Sequence, residues 1–464
     1  MYSLRSPNTV ASFRRVPVRP LLAKELREVL NGRALWTMLI LLCPLVGYSF
    51  FQATSLYGEA SAAARDSPAM ASGLSPLDGI LVPTFGAFYL AVTLLFPFVA
   101  IRVLGREKET AALSLLVQLP YRAATLIAAK MAAIAIAWLI AIIPALSTLA
   151  LWAAIGGHLS APETINLIGG HLLYGLLIGA IALFSAAISE SAATAAIITL
   201  SFTIGSWVID FALAGQPGVL GLLSSLSLTQ TLRTFEQGLL STGLVVGLAA
   251  AILGFCVLAA IWLHPGVPVR AKLARSLACT GGMAALLVVA TQIRLSADLA
   301  EDRRNSFPAA DQRELAKLNE PLVVTVHLAP EDPRYADLRR NVLAKLERVM
   351  PRVNIRLAGG GQTIVGSSTE QSYGEIEYSY SGRSAKSRST SHREALPVLY
   401  ELAGRPPPTP IVGEDYPGYP LVAEAQIALP WFFAALPLSI VLAWWWMSRP
   451  PPVPISLAQD GGTT

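Results

Sequence analysis

Charge is what this sequence has least of. Only 14% of its 464 residues are Asp, Glu, Lys or Arg, against about 25% in soluble domains. That deficit excludes an ordinary soluble globular chain. Cysteine is scarce too: Cys43, Cys256 and Cys279 all fall in or beside apolar runs, with no CxxC pair. A cysteine zinc site and a disulfide framework are therefore not expected. No G-x-x-x-x-G-K-[ST] phosphate loop occurs, and neither HExxH nor GxSxG does. ATP hydrolysis, metalloprotease and serine-hydrolase chemistry are left without their residues. An enzyme, a metal site and a resident cofactor are not expected.

What the chain has instead is long apolar runs. Hydrophobic residues make up 53%, and the mean hydropathy is +0.53. A membrane span needs about 20 apolar residues. Eight runs qualify: 35–54, 80–102, 129–153, 165–188, 193–214, 242–263, 274–293 and 427–447. Pro44, Pro97 and Pro144 lie inside three of them, which membrane helices tolerate. The expected fold class is a polytopic α-helical membrane protein, with membrane lipid around it. The start of the chain is polar and Arg-rich and the first apolar run comes late, so no cleavable signal peptide is expected.

Basic residues give the orientation. Arg14, Arg15, Arg19, Lys24, Arg27 and Arg33 precede the first span. Arg102, Arg106, Lys108, Arg122 and Lys130 lie between the second and third, Arg270, Lys272 and Arg275 between the sixth and seventh, and Arg449 after the eighth. Alternation puts all four groups on one side, the cytoplasmic side of a bacterial inner membrane. Both termini are then cytoplasmic and residues 294–426 extracytoplasmic. The net charge of +5 reflects these flanks rather than nucleic-acid binding.

The approach to the first span is patterned. In "LLAKELREVLNGRALW", Leu21, Leu22, Leu26, Val29 and Leu30 share one half of a helical wheel, and Lys24, Arg27 and Glu28 the other. Glu25 is a near-edge exception. An amphipathic helix in the cytoplasmic interface is expected. The connector "GREKETAALSLLVQLPYRAAT" (105–125) is patterned as well. Glu107 and Glu109 suit the first turn of a helix. Leu113, Leu116 and Leu119 recur at helical spacing, Pro120 ends the run, and a new helix starts near Arg122. Such a short helix either docks a soluble partner in a groove or packs beneath its own bundle.

These stretches resemble the ABC-2 type permeases of ABC transporters. The elbow "KELREVLNGRALW" and the connector with Glu107, Glu109, Thr110, Leu115, Leu116, Pro120, Arg122 and Lys130 carry the resemblance, over about residues 18–263 and six spans. It implies that 105–125 is a coupling helix seated in a cleft of a separate ATP-binding subunit, with Glu107, Glu109, Thr110, Leu113, Leu116, Pro120 and Arg122 as contact residues. It also implies two ATP-binding subunits per complex, and a homodimer or a related permease as partner. The implied layout is 1–34 as N-terminus and elbow, 35–263 as permease, 264–293 as connector and seventh span, 294–426 as outside domain and linker, and 427–464 as eighth span and tail.

Residues 294–426 change character. "PLVVTVHLA" (321–329) reads as a strand, "YADLRRNVLAKLERVM" (335–350) as a helix, "VNIRLA" (353–358) and "GEIEYSYSG" (374–382) as strands, and "SHREALPVLYELAG" (391–404) as a helix. A small β-α-β-β-α domain is expected. The glycines of "AGGGQTIVG" (358–366) read as a turn between strands, and "RPPPTP" (405–410) begins a semi-rigid linker. The segment 297–404 is similar to the gliding-motility-associated (Gld-type) ABC auxiliary proteins through Asp298, Leu299, Asp302, Arg304, Ser306, Leu315, Leu318, Pro321 and Val323. That likeness allows a thioredoxin-like fold, but the segment has no cysteine, which excludes thiol chemistry.

Within the spans, Asp210 is a candidate transport residue. Gly175 and Gly179, in "GLLIG", permit close helix approach, either to a partner or within the chain. His158 and His171 read as interfacial. The expected function is the membrane subunit of an ABC-2 type exporter. The alternative is a non-transporting assembly or mechanotransmission protein acting through its outside domain.

Overall fold

A computed structural model describes residues 18–119, 121–213, 220, 227–293, 295–330, 332–358, 373–409 and 416–449. Arg14, Arg15, Pro120 and the glycine run 359–366 lie outside the described residues. Eight helices are long and apolar enough to cross a membrane: Arg33–Ala63, Leu77–Glu109, Ala123–Ala154, Ala161–Ile188, Ala192–Ala212, Thr242–Leu263, Val269–Thr291 and Ala425–Met447. Each contains one of the runs expected from hydropathy or nearly all of it. In chain order they are the first to the eighth span.

Proline acts differently at its three sites. Pro44 and Pro97 lie within continuous helix. Pro144 coincides with a break, because the third span divides into Ala123–Ala141 and Ile143–Ala154. A proline ring lacks the amide hydrogen and displaces the carbonyl one turn back, which is what separates the two pieces.

The bundle core is formed by the first four spans. The second packs on the first and the fourth, and the sixth on the fourth and the seventh. The eighth span returns to the first: Phe432 fills the space a side chain at Gly47 would need, 2.3 Å from an ideal Cβ there. The seventh span is the loosest, with only 6% of its apolar window buried by protein. Lipid is the natural cover for such a surface.

Two short strands, β1 Leu239–Ser241 and β2 Ser296–Asp298, pair antiparallel just before the sixth span and just after the seventh. Beyond them lies a four-stranded sheet. Its strands are β3 Leu322–Val326, β4 Val353–Leu357, β5 Ile376–Tyr380 and β6 Arg383–Ser387, in the order β4-β3-β5-β6. β3 runs parallel to β4 and antiparallel to β5, and β5 is antiparallel to β6. Leu322, Val324 and Val326 of β3 share a buried face with Ile376, Tyr378 and Tyr380 of β5. The helical segment Pro333–Val349 and the helix His392–Ala403 supply most of the rest of that core, with Phe307, Leu315 and Leu318 from the segment before β3. The expected single strand over 374–382 is corrected to half a hairpin. Ser381 and Gly382 both have positive φ (54° and 76°), the backbone of a two-residue primed turn.

Candidate functional site

The elbow helix Val18–Leu30 buries Leu21, Glu25 and Val29, one turn apart along one face. A carboxylate in that apolar row demands a partner. Glu25 finds one in Lys130, the lone charged residue of the third span: Nζ donates to Glu25 Oε2 at 2.9 Å and to the Val103 carbonyl at 2.9 Å. Glu107 Oε2 lies 2.7 Å from the same nitrogen, out of line for a hydrogen bond, so that contact is ionic. The side chains of Lys130, Glu25 and Glu107 are 1%, 1% and 2% exposed. Lys24 closes the cluster from the solvent side, bonding Glu107 and lying 3.2 Å from both Glu25 and Glu28. Burial raises the Glu25 carboxyl pKa against the opposing pull of Lys130. Burial works against the Lys24 ammonium, but Glu107 and its neighbours hold its pKa above the ordinary value. Oxygens of Glu25, Glu28 and Glu107 lie within 4.8 Å of one another. Lys24 and Lys130 already supply their cations, so the arrangement is a compensated ion cluster.

Glu107, expected as a contact residue for the ATP-binding subunit, has a buried side chain. It is an internal tie between the elbow, the end of the second span and the base of the third. Its neighbour Lys108 points the other way. Nζ donates to the carbonyls of Ala186, Ala187 and Ser189 at 2.7, 2.8 and 2.8 Å. Those are the open carbonyls at the end of the fourth span, where a cation also suits the helix dipole. The start of the connector is thus pinned on two sides.

Beyond the pin the chain turns outward. Glu109 and Thr110 are exposed, and Ala111 takes the left-handed conformation (φ 57°). A helix over Ala112–Gln118 follows. Leu113 and Leu116 are half-buried, and Leu113 packs on the bundle core. Leu115 and Leu119 are the outward pair, 67% and 47% exposed. Arg122 is exposed and precedes the third-span helix as its N-cap.

The remaining span residues find partners inside the chain. Asp210 is buried, 3.8 Å from Arg233. A Cβ at Gly175 would lie 1.9 Å from Trp138, and one at Gly179 would lie 2.5 Å from Ile134. Both glycines therefore seat the fourth span on the third. His171, expected at an interface, is fully buried between Phe85 and Phe88, with Nδ1 3.0 Å from the Leu167 carbonyl.

Residues 19–263 match the family described as ABC-2 family transporter protein. The chain belongs to that family. Neither a curated protein nor a solved structure matches it. The ABC-2 assignment makes it a multi-pass membrane component of a transporter. The matched region ends at Leu263, so the gliding-motility resemblance of 297–404 stands on its sequence pattern alone.

The motif residues of that pattern build a clasp between this ABC-2 bundle and the four-stranded sheet. Asp298 accepts from Ala300 N (3.2 Å), Asn305 N (3.0 Å), Asn305 Nδ2 (3.1 Å) and Ser306 Oγ (2.6 Å). Asp302 holds Arg304, whose guanidinium reaches Asp78 and Ser75 on the rim of the bundle. Asn305 also donates to the Gln237 carbonyl at 2.7 Å, and Leu299 N to the Gly238 carbonyl at 2.8 Å. A side chain at Gly238 (φ 79°) would meet Ala300 at 2.8 Å, so only glycine lets the two segments close. On the other side, the buried Lys345 donates to the Ser306 carbonyl at 3.1 Å. Glu301 adds a second contact. Its backbone N–H meets Glu163, and its carboxylate bonds His158 (2.9 Å) and Tyr419 (2.6 Å), whose rings stack at 3.5 Å. Composition alone left all of these bonds unseen. The one hint was the density of Asp, Asn, Ser and Arg in "DLAEDRRNS", where Asp, Asn and Ser favour local turns.

Proposed function

We propose that this chain is the permease subunit through which a separate ATP-binding subunit drives export across the membrane. The carrying observation is the helix Ala112–Gln118. It presents Leu115 and Leu119 outward, while its root is tied by Glu107 to the elbow and third span and by Lys108 to the fourth. A push on that helix reaches the bundle through ion pairs and charge-assisted bonds rather than through a slack loop. Two ATP-binding subunits and a second permease, identical or related, complete the complex. Both termini face the cytoplasm and residues 294–426 lie outside. Co-purification of the ATP-binding subunit with connector variants tests the coupling, and ATP-driven movement of substrate in liposomes tests transport.

The clasp favours a second element of this reading. A domain hung on a free linker would not follow the bundle. This one is fastened at Asp78, Gln237, Gly238 and Glu163, so a change in bundle shape moves the outer sheet as well. The mechanotransmission alternative rests on that fastening. ATP hydrolysis with outer-domain movement and no substrate flux would favour it.

A further inference from the structure

Among the described residues, an apolar cavity of about 420 Å³ lies between the fourth, fifth, sixth and seventh spans. Its size falls within the range of small-ligand sites, about 300–1,000 Å³. Leu177, Phe202, Leu248, Phe255, Met283 and Leu287 give it its character, and none of the described residues that line it is charged. Four hydroxyls reach it, and each is already engaged with backbone. Ser206 accepts from Leu228 N and Ser241 from Leu244 N, while Thr231 donates to the Ser227 carbonyl and Thr291 to the Val288 carbonyl. A charged solute would find no ionic partner there, and a sugar few hydrogen-bonding groups. Water would find few polar partners, and an apolar void left empty forfeits dispersion contacts along its walls.

Its depth is informative. On the sixth span the lining runs from Gly243 to Phe255, about 18 Å at 1.5 Å per residue. One leaflet of hydrocarbon is about 15 Å thick, half of about 30 Å. The lining starts at the end of that span next to β1, on the side of the α/β domain, and stops past its middle. The seventh span, which forms one wall, packs along the sixth and is otherwise largely uncovered by protein. We infer that this cavity holds one acyl chain of a membrane phospholipid, drawn from the leaflet on the side of the α/β domain. The site is independent of the coupling helix.

The test uses the full chain in nanodiscs containing phosphatidylglycerol with a diazirine in its acyl chain. After photolysis, adducts are mapped by mass spectrometry. Adducts over 243–255 and 283–293 are expected to exceed, several-fold, those at the exposed Leu41 and Leu45 of the first span. Gly247→Leu should lower the cavity adducts and leave the first-span adducts unchanged. A Cβ at Gly247 meets only Leu287 and Ala290, at 3.5 and 3.8 Å, so the cavity can take the added side chain. Gly247→Ala, a smaller filling, should give an intermediate loss and covers the case in which the leucine variant fails to fold. Equal labelling of cavity and first span would reduce the site to ordinary lipid contact and overturn the inference. So would adducts unchanged by either filling, or a diazirine fatty acid labelling the cavity where the phospholipid does not.

Discussion

Lys130 Nζ lies 2.9 Å from Glu25 Oε2, and each side chain is 1% exposed. One ion pair thereby joins the amphipathic elbow to the base of the third span across 105 positions of sequence. A buried pair of this kind is weak evidence for net stability but costly to halve, because the survivor is left as an unpaired charge.

Lys130→Met should therefore destabilise the chain by about 3–5 kcal/mol, the usual cost of removing one partner of a buried pair. Glu25→Gln should be milder, since a neutral amide can still accept from Lys130. A thermal-shift series in detergent checks the order. A Lys130→Met variant as stable as the parent would mean that the cluster is hydrated rather than buried.

The outward leucines and the inward glutamate of the connector should separate two phenotypes. Leu115→Asp with Leu119→Asp should keep membrane abundance near normal and weaken capture of the ATP-binding subunit, because a charge is placed in an apolar contact. Glu107→Lys should lower abundance instead, by putting a third cation beside Lys24 and Lys130. Immunoblots of membranes and of affinity-purified complex, run side by side, read both. Undiminished capture of the ATP-binding subunit by the leucine variant at normal abundance would count against the coupling role.

Orientation is checked by labelling in a background with Cys43, Cys256 and Cys279 replaced. Ser384→Cys, exposed on β6, should react with an impermeant maleimide in intact, outer-membrane-permeabilised cells. Ser114→Cys, exposed on the connector helix, should react only after lysis. The reverse pattern would invert the topology and remove the connector from the ATP-binding subunit.

The clasp is expected to hinge on Asp298. Asp298→Ala strips four acceptor contacts from one turn, and each partner left buried costs roughly 1–3 kcal/mol. Hydrogen exchange should accelerate at Ala300 and Asn305 and at Gly238, while the core strands β3 and β5 keep their protection. Gly238→Ala should loosen the same seam through its clash with Ala300. Unchanged exchange at the clasp in both variants would show that the bundle and the sheet are held elsewhere.

A pH effect follows from Glu236, on the short helix Leu228–Glu236. Burial raises its carboxyl pKa from 4.5 to about 7, partly offset by Arg233. A raised acid pKa means that the folded state binds the proton more tightly. The associated stability is fully present below about pH 4.5 and is lost as pH rises through about 7. The full span is worth about 3 kcal/mol, at about 1.4 kcal/mol for each pKa unit. Glu236→Gln, neutral at every pH, should gain on the parent in thermal stability between about pH 5 and about pH 8. A constant difference over that range would contradict the assignment.

The eight spans were legible in the sequence because an apolar run of about 20 residues is a local property. So were the amphipathic elbow and most of the strands and helices of the α/β domain, each written in a period of about 3.6 or 2. The β5–β6 turn was also written there, as Ser381-Gly382, but polar β6 lacks the apolar alternation that marks a strand. What the sequence could not decide was which charges face water. Glu25 read as a near-edge exception on the elbow, Glu107 as a first-turn acid and contact residue of the connector, and Lys130 as a positive flank; only packing shows that they bury one another. Lys108 read as a positive flank, yet it closes the end of a helix 78 positions away. His171 read as interfacial, because its burial depends on Phe85 and Phe88 of another span. Asp298 and Arg304 read as motif positions, and folding brought Asp78 and Gln237 to the segment that carries them. Hydropathy acts along the chain and is read residue by residue. Ion pairs and caps act across it, and a carboxylate looks the same in sequence whether water or a lysine 105 residues away neutralises it.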